Sequence, residues 1–213
     1  MMQCFKPPTG KKTHLQIILA HGAGAGMQSE FMQAMANALS QRGVLTWLFN
    51  FPYMQIQEST GKKRPPDRAP KLLDAISQVL EQVTSEPEFE PTTPLLLGGK
   101  SMGGRMMSMW AAEQATTAGP INGVVALGYP FHPPGKPDKL RIEHFSQLPC
   151  NILIIQGERD TFGNQACVAQ LTLPSLVNVR WLADGDHSFK PRKSSGLTQQ
   201  QHILQAADWI AQW

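Results

Sequence analysis

The sequence predicts an α/β protein, a three-layer α/β/α sandwich around a mostly parallel, twisted sheet of about six or seven strands. Short apolar runs alternate along the chain with segments of helical spacing. The runs are continuous, as strands are when helices cover both faces of a parallel sheet. Right-handed crossovers between such units give an open sheet. The strands are predicted at residues 15–20, 44–49, 94–98, 123–128, 151–156 and 178–183.

A helix is predicted after the first of these strands. Phe31, Met35 and Leu39 recur at four-residue steps, which places them on one helical face. Ser29 is a typical N-cap residue, and Gly43 is typical of the position that follows a helix. We therefore expect the helix to lie between these two residues.

Two further helices are predicted from their apolar stripes. One is expected around residues 67–83, with Asp67 or a neighbour as its cap and Pro70 in its first turn, where proline is tolerated. Its stripe consists of Leu72, Ile76, Val79, Leu80 and Val83. The last helix carries Ile203, Ala207, Ile210 and Trp213 on one face. The proline-rich segments 53–66 and 131–149 are predicted as long loops that follow strands.

Length and composition limit the class of protein. The 213 residues suit one domain spanning residues 1–213, and 41% hydrophobic residues allow a substantial core. A net charge of +3 without a basic arm argues against nucleic-acid binding. No signal peptide is predicted at the amino terminus, and the apolar runs are far shorter than a membrane span. Cys4, Cys150 and Cys167 fit neither disulfide nor metal-ligand spacing, so we expect reduced thiols in a cytoplasmic protein.

The stretch LLLGGKSMGG, residues 95–104, resembles two different motifs. A phosphate-binding P-loop requires a glycine five positions before Gly99, and that position is Pro94. Proline has no amide hydrogen to offer a phosphate, so the nucleotide-binding interpretation is disfavoured. Gly-x-Ser-x-Gly between a strand and a helix instead matches a nucleophile elbow, which presents Ser101 above the sheet. The alternative is a glycine-rich turn with an inert serine.

Two later strands end in residues that could activate Ser101. Asp160 follows the strand at 151–156, and His187 follows the strand at 178–183. The order serine, acid, histidine is that of a Ser-Asp-His triad in this type of fold. Asp184 and Asp186 are rival acids, but we favour Asp160, because a separate strand end can support the imidazole from behind. The alternatives are an ordinary turn aspartate and a solvent-exposed histidine.

The loop after the first strand, HGAGAG, offers backbone amides for a developing oxyanion. The amide of Ala23 is one candidate donor, and that of Met102, directly after Ser101, is the other. His21 precedes the serine in the chain, and we expect it to pack the loop rather than to act as a base.

On these motifs the chain resembles the α/β-hydrolase superfamily over residues 14–213, closest to its small, uncapped, dienelactone-hydrolase-like branch. In particular it is similar to predicted bacterial hydrolases related to the hydrolase-like domain of a histone-acetyltransferase complex subunit. The resemblance implies a minimal α/β-hydrolase fold and a serine hydrolase that cleaves a small ester, thioester or lactone through an acyl-enzyme. It implies neither a metal nor an organic cofactor. A transferase with the same acyl-enzyme and a non-catalytic interaction module of the same fold are the alternatives.

The chain departs from the family pattern in three places. Residues 1–14 leave room for one short strand, where full-size members have two more. The loop reads His-Gly-Ala-Gly instead of the His-Gly-Gly-Gly of many esterases. No cap domain is expected after Gly128, so the site should be open.

Basic residues are concentrated in the loops expected beside the site, and we call them the basic rim. They are Lys62, Lys63, Arg64, Arg68, Lys71, Lys136, Lys139, Arg141, Lys190, Arg192 and Lys193. Such a rim would attract an anionic small-molecule substrate, whereas the alternative is a set of solvated loops. Arg64, Tyr129 and His132 are the candidate substrate-binding residues, while Phe131 is expected to pack in the core.

Overall fold

The computed structural model describes residues 2–114 and 121–213. These residues form a seven-stranded sheet in the order β1-β3-β2-β4-β5-β6-β7, parallel except for the antiparallel edge strand β1. The strands are β1 (Met2–Phe5), β2 (Leu15–Ala20), β3 (Val44–Phe49), β4 (Leu95–Lys100), β5 (Ile121–Leu127), β6 (Ile152–Gly157) and β7 (Val177–Leu182). The helices are α1 (Glu30–Ser40), α2 (Pro52–Thr60), α3 (Ala69–Thr84), α4 (Met102–Glu113), α5 (Gln165–Val168) and α6 (Gln199–Ala211).

Helices cover both faces of this sheet, which confirms the predicted three-layer architecture. Alternate residues of β2 enter different cores: Ile18 packs on the side of α3 and α4, and Ile17 packs on the side of α1 and α6. Because both faces are buried, all six residues of β2 and all six of β3 are withdrawn from solvent. Their continuous apolar character in the sequence follows directly from this arrangement.

The predicted strands are confirmed, with shifts of one or two residues at some ends. Residues 15–20 and 44–49 are strands over their full predicted lengths. Strand β4 continues to Lys100, because its pairing with β5 extends to Leu127. The amino-terminal segment supplies one short strand, β1, for which the sequence left room.

The segment 53–66 is not the uninterrupted loop that we predicted, because residues 52–60 form helix α2. Pro52 lies in the first turn, where its missing amide hydrogen is harmless, and Gly61 ends the helix with φ +67°. Only Tyr53 and Met54 are buried, so the helix has no apolar stripe for the sequence to reveal.

The predicted ends of α1 and α3 are correct in position but not in all their contacts. Helix α6 ends at Ala211, so Trp213, which we expected on its apolar face, lies beyond the helix. Ser29 occupies the N-cap position of α1, yet its side chain makes no capping hydrogen bond. At α3 the N-cap is Arg68, and Asp67 instead pairs with Lys71 at 3.0 Å. Gly43 has φ +85° at the turn into β3, as expected for a residue that follows a helix.

Between Gly128 and β6 the described chain contains a 3₁₀ turn (Glu143–Gln147) and no inserted helical domain. Phe145 of this turn is buried in the core. Within the described ranges, no helix is both long and apolar enough to cross a bilayer.

Candidate active site

The candidate site lies at the edge of the sheet where the parallel strands end. The loops after β2, β4, β6 and β7 meet there and carry Ala23, Ser101, Asp160 and His187. Open α/β sheets bind ligands at this edge, because the loops that leave neighbouring strands form a crevice.

The turn from β4 into α4 is sharp and holds Ser101 in a strained conformation. Ser101 has φ +52° and ψ −115°, and its amide donates to the Leu127 carbonyl at 2.9 Å. A Cβ on Gly103 would lie 2.5 Å from the Ala20 carbonyl oxygen, and one on Gly99 would lie 2.6 Å from the Gly103 carbonyl carbon. The motif therefore needs glycine at both positions, because neighbouring backbone fills the space of a side chain. Strain of this kind typically marks a functional residue.

Three side chains that are distant in sequence form one hydrogen-bonded line. His187 Nε2 lies 2.8 Å from Ser101 Oγ, and His187 Nδ1 lies 2.8 Å from Asp160 Oδ2. An ionised carboxylate only accepts hydrogen bonds, so Nδ1 carries the imidazole proton and Nε2 is free to accept that of the serine. The ring of Phe162 lies against the imidazole with a centroid distance of 4.3 Å.

The Asp160 carboxylate is fully buried and is held by two further donors. Oδ1 accepts from the Phe162 amide at 2.8 Å, and Oδ2 accepts from Gln156 Nε2 at 2.9 Å. Gln156 is itself fully buried, and its Oε1 accepts from the Tyr129 amide at 2.7 Å. Gln156 was not among the predicted site residues, although a polar residue that ends the apolar run NILIIQ is the signal that could have revealed it.

The rival acids make other contacts. The carboxylate of Asp184 accepts from Arg192 Nε at 2.8 Å, and the hydrogen bond from Arg192 lowers the pKa of Asp184 to about 2. Asp186 Oδ1 accepts from the Lys190 amide at 2.9 Å and so closes the turn. Neither carboxylate is hydrogen-bonded to the imidazole of His187, which leaves Asp160 as its partner.

Two backbone amides are available near Ser101. Met102 is the first residue of α4, and Ala23 lines the same cavity as Ser101. Within residues 2–114 and 121–213, neither amide donates a hydrogen bond. The Tyr53 hydroxyl donates to the Ala23 carbonyl at 3.0 Å and thereby supports the loop.

His21 packs beneath that loop, as expected. Its Nδ1 donates to the Gly22 carbonyl at 2.7 Å, and its Nε2 accepts from the Phe51 amide at 3.1 Å. Burial lowers the pKa of His21, so the ring is neutral and serves as a structural residue.

A cavity of about 360 Å³ opens beside Ser101 and His187. Its walls are mostly apolar and include Phe31, Met32 and Phe162. A larger cavity of about 450 Å³ lies at the opposite edge of the sheet between His14 and Trp213, far from the serine. The smaller cavity is the candidate site, because the hydrogen-bonded pair Ser101 and His187 lines it.

The three predicted substrate-binding residues do not line the cavity beside Ser101. Tyr129 is fully buried and its hydroxyl donates to the Arg141 carbonyl at 2.6 Å, because the chain after β5 turns into the core. His132 is also buried, with Nδ1 2.9 Å from the Pro133 carbonyl. Arg64 is exposed after α2, away from the cavity lining. Phe131, expected in the core, is buried there.

Some side chains of the basic rim form ion pairs within the protein. Lys71 pairs with Asp67, and Arg192 pairs with Asp184. Among the described residues that line the cavity, none belongs to the basic rim, and the one basic side chain other than His187 is that of Lys100. Within the described ranges, no group of three or more His, Cys, Asp or Glu side chains is arranged to hold a metal ion.

Residues 13–213 match the family model of the alpha/beta hydrolase domain. A serine hydrolase without a lid from Xanthomonas campestris is 20% identical, covers 98% of this chain and 88% of its own, and has a TM-score of 0.70. Dienelactone hydrolase from Anabaena variabilis is 19% identical over 100% of this chain and 91% of its own, with a TM-score of 0.69. An alpha-beta serine hydrolase homologue from Coxiella burnetii is 17% identical over 99% and 89%, with a TM-score of 0.68. None of the curated proteins matches this chain in sequence.

Proposed function

The chain belongs to the alpha/beta hydrolase domain family, and on that premise we propose that it is a serine hydrolase acting on a small ester, thioester or lactone. One observation carries the proposal. The hydrogen bonds from Ser101 to His187 and from His187 to Asp160 are each 2.8 Å long, which is short enough for proton transfer. We infer that these residues act as nucleophile, base and acid.

The first half of the reaction forms an acyl-enzyme. Ser101 Oγ attacks the substrate carbonyl while its proton passes to His187 Nε2, and Asp160 stabilises the resulting imidazolium through Nδ1. The carbonyl oxygen becomes an oxyanion, which the amides of Ala23 and Met102 stabilise. His187 then gives its proton to the leaving alcohol or thiol as the bond to it breaks.

The second half restores the enzyme. His187 takes a proton from water, the hydroxide attacks the acyl carbon, and the same two amides stabilise the second oxyanion. The bond to Ser101 Oγ breaks, and His187 returns the proton to that oxygen. No other reactant is needed. A transferase would differ only in the molecule that replaces water.

The cavity indicates the character of the reacting end of the substrate. Its volume of about 360 Å³ and its walls of Phe31, Met32 and Phe162 favour a small apolar acyl or alcohol group. Any anionic group of the substrate would extend out of this cavity, because no member of the basic rim is among the described residues that line it.

A fluorophosphonate probe tests the proposal, because it bonds covalently to an activated serine. We expect the wild-type protein to gain one probe mass on Ser101 and Ser101→Ala to gain none. Ser108 provides a matched control, since its Oγ also lies 2.8 Å from a histidine nitrogen, His144 Nε2. Ser108 is fully buried on α4, and burial lowers the pKa of the partly buried His144 to about 4. Ser108→Ala should therefore still be labelled.

Folded wild-type protein that resists the probe would refute the proposal and favour a non-catalytic interaction module. If labelling occurs, a panel of p-nitrophenyl esters, acyl-CoAs and lactones identifies the substrate class, with Ser101→Ala as the blank.

A further inference from the structure

Lys100, which occupies the variable position before the serine in the Gly-x-Ser-x-Gly motif, makes a partly buried contact that has no role in the proposed reaction. It is the last residue of β4 and directly precedes Ser101. Its Nζ donates to the main-chain carbonyl of His187 at 2.6 Å, across 87 positions of sequence. The same nitrogen lies 5.6 Å from the ring centroid of Phe31 and 5.9 Å from that of Phe189.

Withdrawing an ammonium group from water is unfavourable unless other groups compensate. Here burial lowers the pKa of Lys100 to about 8, and the carboxylates of Asp160 and Asp186 act in the opposite direction. The two aromatic rings and the His187 carbonyl supply the remaining compensation. At neutral pH the side chain is therefore a charged donor held in one place.

The loop that carries His187 requires such a support. Two of its residues that are not glycine, Asp184 and Phe189, have left-handed conformations, with φ +54° and φ +65°. Conformations of this kind persist only when surrounding contacts hold them. Because Lys100 is covalently joined to Ser101, its contact with His187 links the nucleophile to the backbone of the base by one side chain.

We propose that Lys100 is a positioning residue: its ammonium group holds the His187 carbonyl and so keeps the imidazole aligned between Ser101 and Asp160. The inference rests on the proposed serine hydrolase function. Its tests therefore include measurements that do not depend on turnover.

The first test is the substitution Lys100→Met, which keeps much of the chain length and fits between two aromatic rings but removes the charge and the donor. We expect kcat to fall about 10- to 100-fold, because a displacement of about 1 Å can reduce turnover by that order. The KM for a neutral ester should change less than about twofold, since the contact that is removed is with the His187 carbonyl rather than with the substrate. Lys100→Arg keeps a charged donor and should recover part of the loss.

Lys12→Met is the matched control. Lys12 is exposed in the segment that precedes β2 and is not a member of the basic rim. The control removes one positive charge without touching the His187 carbonyl, and its kcat should equal that of the wild type.

The pH profile gives a second readout. The amine is charged below a pH of about 8, and the neutral amine above it is a weaker donor. The kcat/KM of the wild type should therefore decline as the pH rises through about 8, and Lys100→Met should lack this decline.

The stability of the wild-type protein should rise over the pH range in which its kcat/KM declines. Between pH 8 and 10.5 the unfolded chain keeps a Lys100 proton that the folded chain has released. The free energy of unfolding of the wild type relative to Lys100→Met should therefore increase with pH over this window.

The exchange rate of the His187 Nδ1 proton, followed by NMR, tests the alignment even in a protein without known substrate. We expect faster exchange in Lys100→Met than in the wild type, and faster exchange in the wild type as the pH passes 8. Unchanged exchange together with wild-type kcat would overturn the proposal. A rise in KM for anionic esters alone, with kcat unchanged, would also overturn it and assign Lys100 to substrate binding.

Discussion

Asp160→Asn should remove nearly all activity, because every group that meets this carboxylate is a donor. Oδ1 accepts from the Phe162 amide, and Oδ2 accepts from both Gln156 and His187, at 2.8 to 2.9 Å. Asparagine offers one acceptor oxygen and one donor nitrogen. In either orientation its nitrogen therefore faces a donor in a fully buried place.

The two orientations harm catalysis in different ways. If the amide nitrogen replaces Oδ2, it faces Gln156 and donates to His187 Nδ1, which moves the imidazole proton to Nε2 and prevents Nε2 from accepting the serine proton. If it replaces Oδ1, it faces the Phe162 amide, and the neutral oxygen left beside His187 stabilises the imidazolium far less. We expect kcat to fall on the order of 10⁴-fold, as for this change in other triads. That is about 5 kcal/mol of transition-state stabilisation.

The expected loss of stability is smaller. One buried donor left without an acceptor costs about 1–3 kcal/mol, so the variant should fold. The assays are kcat/KM on the best substrate of the panel, the rate of fluorophosphonate labelling, and thermal unfolding to confirm the native state.

Asp184→Asn is the control. Asp184 has φ +54°, a conformation that asparagine tolerates well, and its partners are surface arginines. Its kcat/KM should stay within about twofold of wild type. Loss of turnover in Asp184→Asn together with retained turnover in Asp160→Asn would refute the assignment of the acid.

Two further predictions concern the elbow and the rim. Gly103→Ala places a Cβ 2.5 Å from the Ala20 carbonyl oxygen, so it should lower the free energy of unfolding by about 1–3 kcal/mol or more and abolish labelling by the fluorophosphonate. Gly24→Ala is the control, because a Cβ at Gly24 would meet no atom within 4 Å. It should behave as the wild type in thermal unfolding and in labelling. If the basic rim steers substrate, kcat/KM for an anionic ester should fall as salt is added while that of a neutral ester stays constant; equal salt dependence for both would exclude this role.

The sequence was informative where a requirement is local. Strand residues such as those of β2 and β3 are buried on both faces, so their apolar character is continuous and visible in the chain. The glycines around Ser101 are likewise required by one tight turn, so the motif predicts the elbow before any fold is known.

The sequence was uninformative where burial depends on distant partners. Helix α2 has two buried residues and no stripe, so its pattern did not differ from that of a loop. Tyr129 follows a strand at the correct edge of the sheet, yet its ring packs against Phe131 and Phe145 in the core. Which way a side chain points after a strand depends on the space that other elements leave.

By itself, then, the sequence determined the six strands that follow one another in parallel, the helices α1, α3 and α6 and the tight turn at Ser101, because each leaves a periodic or motif-like trace. It also predicted the serine, acid and histidine from their order along the chain. Only the tertiary structure decided that Gln156 supports Asp160, that Lys100 holds the His187 carbonyl and that Phe162 covers the imidazole. These contacts depend on distances between atoms rather than on spacing along the chain. The Lys100 contact joins residues 87 positions apart, and no local pattern records such a meeting.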